Sequence, residues 1–295
     1  MKVEIECLSC IIHRGYLEIA EATKNPDLQF KAASALLEYM AKEFRPDAVA
    51  AFLGTTRDRM IKQISGNPDV YAAKKRESNQ VALELLPSLR GMIEKERSSE
   101  ERFRKACLAA IVGNIIEFDI PEHEVDFDQL DQLIADAEKE LVIDDISKIY
   151  EEAKKASNIL YLIDNAGEIA LDKLLVSELK QLGAKVIVVV KGGPILNDAT
   201  LEDAKAVGMY ELADATITTG ADAVGLPLPD ERSGEFIKAY DETDFVVAKG
   251  MGFAETLTEE KLRQSHAFLL RTKCNPVARY YGVARGKNVA KLVKP

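Results

Sequence analysis

Between Glu6 and about Phe118 the apolar residues recur every three or four positions, as in Leu8, Ile11, Ile12, Tyr16 and Ile19 and again in Phe30, Ala33, Leu36, Leu37 and Met40. That spacing stripes one side of an α-helix. Breaks stand at Asn25-Pro26, Arg45-Pro46, Gly66-Asn67-Pro68 and Ser98-Ser99, so the first third is expected to form about five or six helices. One more helix is expected near Asp128 to Glu140. After Ser157 the period changes. Ile159 to Ile163, Lys185 to Val190, Ala215 to Thr218, Asp244 to Ala248, Ala267 to Leu270 and Asn288 to Leu292 are short runs rich in branched residues, separated by amphipathic stretches. This pattern predicts a parallel sheet with helices on both faces. Gly183, Gly208 and Gly282 stand where helices should stop in a left-handed residue. The expected architecture is therefore α/β, a Rossmann-like parallel sheet core over residues 151–295 behind an all-α N-terminal domain with an acidic connector over residues 1–150.

Composition narrows the field. With hydrophobic residues at 47% of 295, the chain can bury a substantial core, which excludes a disordered protein. Its longest apolar stretches are far short of the roughly 20 residues that cross a bilayer, and Met1-Lys2-Val3-Glu4 opens no signal peptide. A soluble, cytoplasmic protein without a membrane partner is expected. Cys7, Cys10, Cys107 and Cys274 are too few for a disulfide framework. The net charge of −10 is concentrated in Glu117 to Asp145, which holds twelve carboxylates against Lys139 alone. An acidic chain with no basic stripe is a poor match for nucleic acid, whose phosphates are bound through lysine and arginine. The acidic run itself reads as a solvated face.

In an open parallel sheet the ligand lies outside the carboxyl ends of the strands, so the residues just after each apolar run carry the information. They are Asp164-Asn165-Ala166-Gly167-Glu168, Lys191-Gly192-Gly193-Pro194 followed by Asn197-Asp198, Thr218 to Asp222, Lys249-Gly250-Met251-Gly252, and Arg271-Thr272-Lys273-Cys274-Asn275-Pro276. Asp164, Asn165 and Asp198 form an all-oxygen set suited to a hard divalent cation. Either Asn165 or Asp198 alone could equally cap a helix or close a turn. Lys249 and Lys273 follow apolar strands directly, where a buried ammonium requires an anion. The glycine turns at Gly192-Gly193 and Gly250 to Gly252 let backbone N–H groups approach a phosphate. Together these features read as phosphate plus metal. No G-x-x-x-x-G-K-[ST] loop is present and no G-x-G-x-x-G follows the first strand, which disfavours P-loop nucleotide hydrolysis and dinucleotide binding. Asp164 is not followed two residues later by a second Asp, so an aspartyl-phosphate route of the haloacid-dehalogenase kind is disfavoured too.

These motifs, with Lys249 to Glu255, Cys7-Leu8-Ser9-Cys10, Asn67 to Tyr71 with Lys74, and Gly113-Asn114-Ile115-Ile116-Glu117-Phe118, resemble those of the damage-control phosphatase family over essentially the whole chain. That family was long a domain of unknown function, and some members bear the name of protein carboxyl methyltransferases. The resemblance implies a helical domain packed on a Rossmann-like core and a divalent-metal-dependent hydrolase of small phosphometabolites such as sugar phosphates. It implies Asp164, Asn165 and Asp198 as metal ligands, with manganese, magnesium, nickel or cobalt as the cation. Asp164, Asp198 and Lys273 are the expected catalytic residues, and Glu168, Gly167, Asn114 and Lys249 the expected substrate-binding ones. Glu117 stands where the family has Asp.

Two other classes remain open on the sequence. An S-adenosylmethionine-dependent carboxyl methyltransferase would account for the sheet but leave the oxygen triad and the strand-end lysines without work. A non-enzymatic sensor of a phosphorylated ligand would use the acidic connector as a partner surface. Cys7, Cys10 and His13, three apart on a helix, could ligate a metal with Cys274, act in redox chemistry, or be buried thiols. The physiological substrate, the metal used and the oligomeric state are not legible.

Overall fold

The computed structural model describes residues 1–113 and 130–295. Five helices open the chain: α1 (Ile5–Ala22), α2 (Pro26–Glu43), α3 (Ala50–Ser65), α4 (Ala72–Glu94) and α5 (Ser99–Gly113). Their ends fall at the expected breaks. Asn25 caps α2 through its side chain, which accepts the Asp27 N–H, with Pro26 at the first helical position. Gly66 closes α3 in the left-handed conformation. After α6 (Leu130–Lys139) come β1 (Leu141–Asp144), α7 (Ile146–Ala153), β2 (Asn158–Leu162), α8 (Glu168–Gln181), β3 (Lys185–Val190), α9 (Leu201–Ala206) and β4 (Ala215–Thr218). The chain finishes with α10 (Gly234–Glu242), β5 (Phe245–Lys249), α11 (Gly250–Leu257), β6 (Ser265–Arg271), α12 (Asn275–Tyr281) and β7 (Asn288–Val293).

The seven strands form one sheet in the order β1-β7-β6-β5-β2-β3-β4. Alternation along β2 sends Ile159, Tyr161 and Ile163 into the core shared with α4, α5 and α8, and Leu160 and Leu162 into the core shared with α10, α11 and α12. The fold is α/β with a mostly parallel sheet. Two features depart from an all-parallel expectation. β7 runs antiparallel to β6, and β1, which precedes residue 150, pairs with β7 at the edge. β7 enters the sheet from the rim at which β6 ends, where the Thr272 N–H donates to Lys287 O at 2.9 Å and Arg271 pairs with Asn288. β1 is a four-residue strand with alternating exposure, too short to register within an acidic stretch.

From β2 the chain steps outward through β3 to β4, then returns to place β5 on the opposite side of β2. The carboxyl ends of β2 and β5 thus flank the topological switch point, where the two connections leave in opposite directions and open a crevice. Helices α1 to α3 form smaller cores of their own around Ile11, Leu36, Met40 and Leu53 and around Ile19, Ala32 and Ile61. Among the described residues, no helix is long and apolar enough to cross a membrane.

Candidate active site

Two loops build the rim of the crevice. The turn after β2 carries Asp164 and Asn165, and the loop after β3 carries Asp198. Backbone hydrogen bonds join them: the Ala199 N–H donates to Asp164 O at 2.9 Å, the Ala166 N–H to Asn197 O at 2.9 Å, and Asn165 and Asp198 form an isolated antiparallel bridge. Residues more than thirty apart are thereby held side by side. The second loop is strained where it turns in. Leu196 is a non-glycine residue at φ 46°, a conformation that costs of order 1 kcal/mol and persists only when its surroundings enforce it. Asp58 of α3 supplies one restraint, accepting the Leu196 N–H at 3.1 Å.

Asp164 and Asp198 are both buried. Burial pushes the Asp164 carboxyl up to about 6, with the negative Glu168 adding to the effect and Lys191, Lys273 and Lys249 opposing it. Asp198 is pushed up to about 8 by burial, with Asp164 and Asp58 raising it and Lys191 opposing. Neither acts as a helix cap: α9 is capped by Thr200 in a reciprocal box with Asp203. The Asn165 amide donates from Nδ2 to Asp164 Oδ2 at 2.9 Å and to Glu168 Oε2 at 3.0 Å, which leaves Oδ1 as the atom able to meet a cation. Two buried, mutually repelling carboxylates beside an amide oxygen fit a hard divalent cation. Its charge would offset the desolvation that now raises both carboxyls.

Lys191 is a site residue that the sequence pattern presented without a role. Its ammonium lies 3.4 Å from Asp198 Oδ2, donates to Gly225 O at 3.0 Å and sits 3.6 Å above the Phe253 ring. Burial lowers its pKa while Asp198 and Asp164 support the charge. It stands at the carboxyl end of β3 as Lys249 stands at that of β5, and that shared placement was the available signal. Lys273 is half-buried and its charge reaches Asp164.

The expectation for Lys249 is corrected. Its fully buried ammonium bonds Glu168 Oε1, Asp172 Oδ1 at 2.7 Å and Ala110 O at 2.9 Å. All three protons are used, so the anion that burial demanded comes from within the chain. Burial opposes this charge, yet Asp172 and Glu168 hold the lysine above its ordinary value. Glu168, expected beside the substrate, is also fully buried and reaches the rim through the Asn165 amide. Gly167, at φ 76°, presents its N–H to Asn79 Oδ1 at 2.7 Å. Asn114 and Glu117 lie outside the described residues.

The glycine turns also have a packing cause. A Cβ on Gly192 would lie 2.4 Å from the Gly220 carbonyl carbon, and one on Gly250, at φ 72°, would lie 1.8 Å from Asp164 Oδ2. Glycine is required at both by close approach alone. A cleft of about 700 Å³ opens beside the rim between α3 and the turns after β3 and β4, lined by Arg59, Lys62, Gly192, Gly193, Gly220 and Asp222 among others. Arg59 pairs with Asp222 and Glu231, and Lys62 with Asp58 and Asp222.

Among the described residues, no three His, Cys, Asp or Glu side chains gather as a metal site; the oxygen set at the rim is two carboxylates and an amide. Burial raises the thiols of Cys7 and Cys274, Cys274 to about 11, with Cys7 and Cys10 adding to the Cys274 shift. That is the reverse of an activated thiolate. His13 stacks on Tyr16. Glu255 is pushed up to about 7 by burial, Arg14 and the N-terminus opposing and Asp164 adding to the shift.

Residues 3–289 match the model of the damage-control phosphatase ARMT1-like domain. An uncharacterised protein of Methanocaldococcus jannaschii is 39% identical, covering 98% of this chain and 95% of the relative. A protein of Archaeoglobus fulgidus named damage-control phosphatase is 37% identical over the full length of both. One of the same name from Pyrococcus horikoshii is 34% identical, over 97% of this chain and 96% of the relative. The crystal structure of a DUF89 family protein from P. horikoshii superposes with a TM-score of 0.88 at 34% identity, over 98% of both chains.

Proposed function

Because the chain belongs to the damage-control phosphatase ARMT1-like family, we propose that it is a divalent-metal-dependent phosphatase of small phosphorylated metabolites, sugar phosphates among them. The observation that carries this reading is the backbone bridge that joins Asn165 to Asp198 at the switch point of the sheet. Asp164, Asn165 and Asp198 would hold the cation, which is one of manganese, magnesium, nickel or cobalt. When bound, a divalent cation supplies charge for the phosphoryl oxygens and lowers the pKa of water.

The chain's own groups do the rest. Lys191 holds Asp198 in orientation and favours its charged form against the effect of burial. Asn165 is held by Asp164 and Glu168, so its carbonyl oxygen is aimed before any ligand arrives. Lys273, from the turn after β6, brings positive charge toward Asp164 and is the residue suited to neutralise a phosphate. Glu168 acts on this centre as a positioning residue, through Asn165 and against Lys249. The helices before residue 150 supply one wall of the adjoining cleft, where the body of a substrate would lie. The four cysteines are free thiols, which supports a reducing, cytoplasmic setting.

The test is phosphate release from a panel of sugar phosphates and an aryl phosphate. EDTA-treated protein would be assayed with each of the four cations added back, beside Asp164→Ala. Turnover restored by a cation and absent from the variant is expected. Full turnover in stripped protein overturns the metal role. No turnover with any cation overturns the phosphatase reading and returns weight to a ligand sensor.

A further inference from the structure

The rim loops are joined on one side by backbone, but a side chain from the helical part of the chain joins them on another. Asn79 of α4 is 3% exposed. Its Oδ1 accepts the Gly167 N–H at 2.7 Å, and its Nδ2 donates to Asp203 Oδ1 at 2.8 Å. Gly167 stands two residues after Asn165, in the turn that also carries Asp164. Asp203, in the first turn of α9, holds the end of the other loop: its Oδ2 accepts the Thr200 N–H at 2.9 Å and Thr200 Oγ1 at 2.8 Å, two residues after Asp198. Lys75, one turn before Asn79 on α4, lies 3.6 Å from Asp203 Oδ2 and 2.9 Å from Asp69 Oδ2, so the carboxylate of Asp203 is charge-compensated in place. A primary amide accepts from a backbone N–H at its oxygen and donates to a carboxylate from its nitrogen at once. Aspartate at this position would face Asp203 with like charge. An apolar residue would leave the Gly167 N–H and an Asp203 oxygen buried without partners.

We propose that Asn79, acting with Asp203, is a positioning residue that sets the separation of Asp164 and Asn165 from Asp198, so that a helix outside the sheet tunes the affinity of the rim for its cation. This rests on the metal-dependent reading above. Partners one shell beyond metal ligands hold those ligands in orientation, and their loss costs about 10- to 100-fold in affinity.

The experiment measures binding of Mn²⁺ alone to the full-length, metal-stripped protein, through the electron paramagnetic resonance signal of free Mn²⁺. The variants are Asn79→Asp, Asp203→Asn and the two combined. Asn79→Asp sets two carboxylates against each other. Asp203→Asn sets an amide N–H₂ group against either Asn79 or Thr200. The double variant restores every hydrogen bond and the net charge, since the carboxylate introduced on α4 accepts from the Gly167 N–H and from the amide introduced at position 203. Each single variant is expected to weaken Mn²⁺ binding about 10-fold or more. The double variant should return to within about twofold of wild type, the scatter of independent substitutions. Wild-type affinity in a folded single variant, or a double variant no better than the singles, overturns the proposal. Should Asn79→Asp fail to fold, Asp203→Asn against the double variant carries the same comparison. A wild type that binds no Mn²⁺ overturns the metal reading and this inference together, whereas a binding wild type with unaffected variants overturns this inference alone.

Discussion

Replacing Lys249 by methionine keeps the apolar stem and removes only the ammonium, which separates a structural lysine from a phosphate contact. In the folded protein that ammonium is fully buried between Glu168 and Asp172, and Tyr161 also donates to Asp172 Oδ1, at 2.7 Å. Removing one partner of a buried ion pair costs about 3–5 kcal/mol, because the remaining charge stays desolvated. Here two carboxylates are left. Asp172 can relieve part of the cost by taking a proton: burial already pushes it up to about 7 with the lysine present, and its Oδ2 has no hydrogen-bond partner among the described residues. Without the lysine its folded pKa rises further above the unfolded value. The folded state then binds the extra proton, and stability is lost as pH rises toward that folded pKa. The deficit of Lys249→Met should therefore be larger at pH 8 than at pH 6. For a chain of 295 residues, about 3–5 kcal/mol corresponds to a fall on the order of 5–10 °C in the thermal midpoint. Circular dichroism melts of metal-stripped protein at the two pH values read both effects, and Lys249→Met/Asp172→Asn should recover part of the loss. A variant that melts with wild type at pH 8, while its KM for a phosphate ester rises, would refute the reasoning and make Lys249 a substrate contact.

Gly250→Ala adds a methyl at φ 72°, 1.8 Å from Asp164 Oδ2. The carboxylate or α11 must shift by about an ångström, and kcat/KM on an aryl phosphate is expected to fall by about 10²-fold or more while the fold survives; retention of activity would show that Asp164 need not sit there. His266 is fully buried, with Nε2 2.9 Å from the Tyr240 hydroxyl and Nδ1 2.8 Å from Gln264 O. Burial lowers its pKa to about 4, so the unfolded chain takes up the proton first as pH falls. Its contribution is fully present above pH ~6.5 and is lost between there and pH ~4, a change of about 3 kcal/mol. Denaturant unfolding of wild type against His266→Gln across that window should lose this difference, and a constant gap would count against a buried neutral imidazole.

Because those signals act over a few residues, the alternation of apolar residues and the placement of glycine and proline were enough to set most of the helices and strands of this protein, though not β1 or α7. The switch to short branched runs after Ser157 implied strands with helices between them, and the residues at the ends of those runs named Asp164, Asn165 and Asp198 as candidates. What a local pattern cannot contain is which strand lies beside which, or what meets a side chain across the fold. The antiparallel pairing of β7 with β6 is set by where the chain re-enters the sheet, and β1 pairs at the edge that β7 offers it. Tertiary packing alone decided that Lys249 answers Glu168 and Asp172 while Lys191, alike in sequence context, answers Asp198. The same holds for Asn79, an ordinary polar residue of an amphipathic helix until α4 brings its amide between Gly167 and Asp203. A charge or an amide in a sequence states only that a partner is required, and the energy of burying it makes that requirement strict. Which partner meets it depends on groups far away along the chain, and those are brought together by the packing of the whole sheet and its helices.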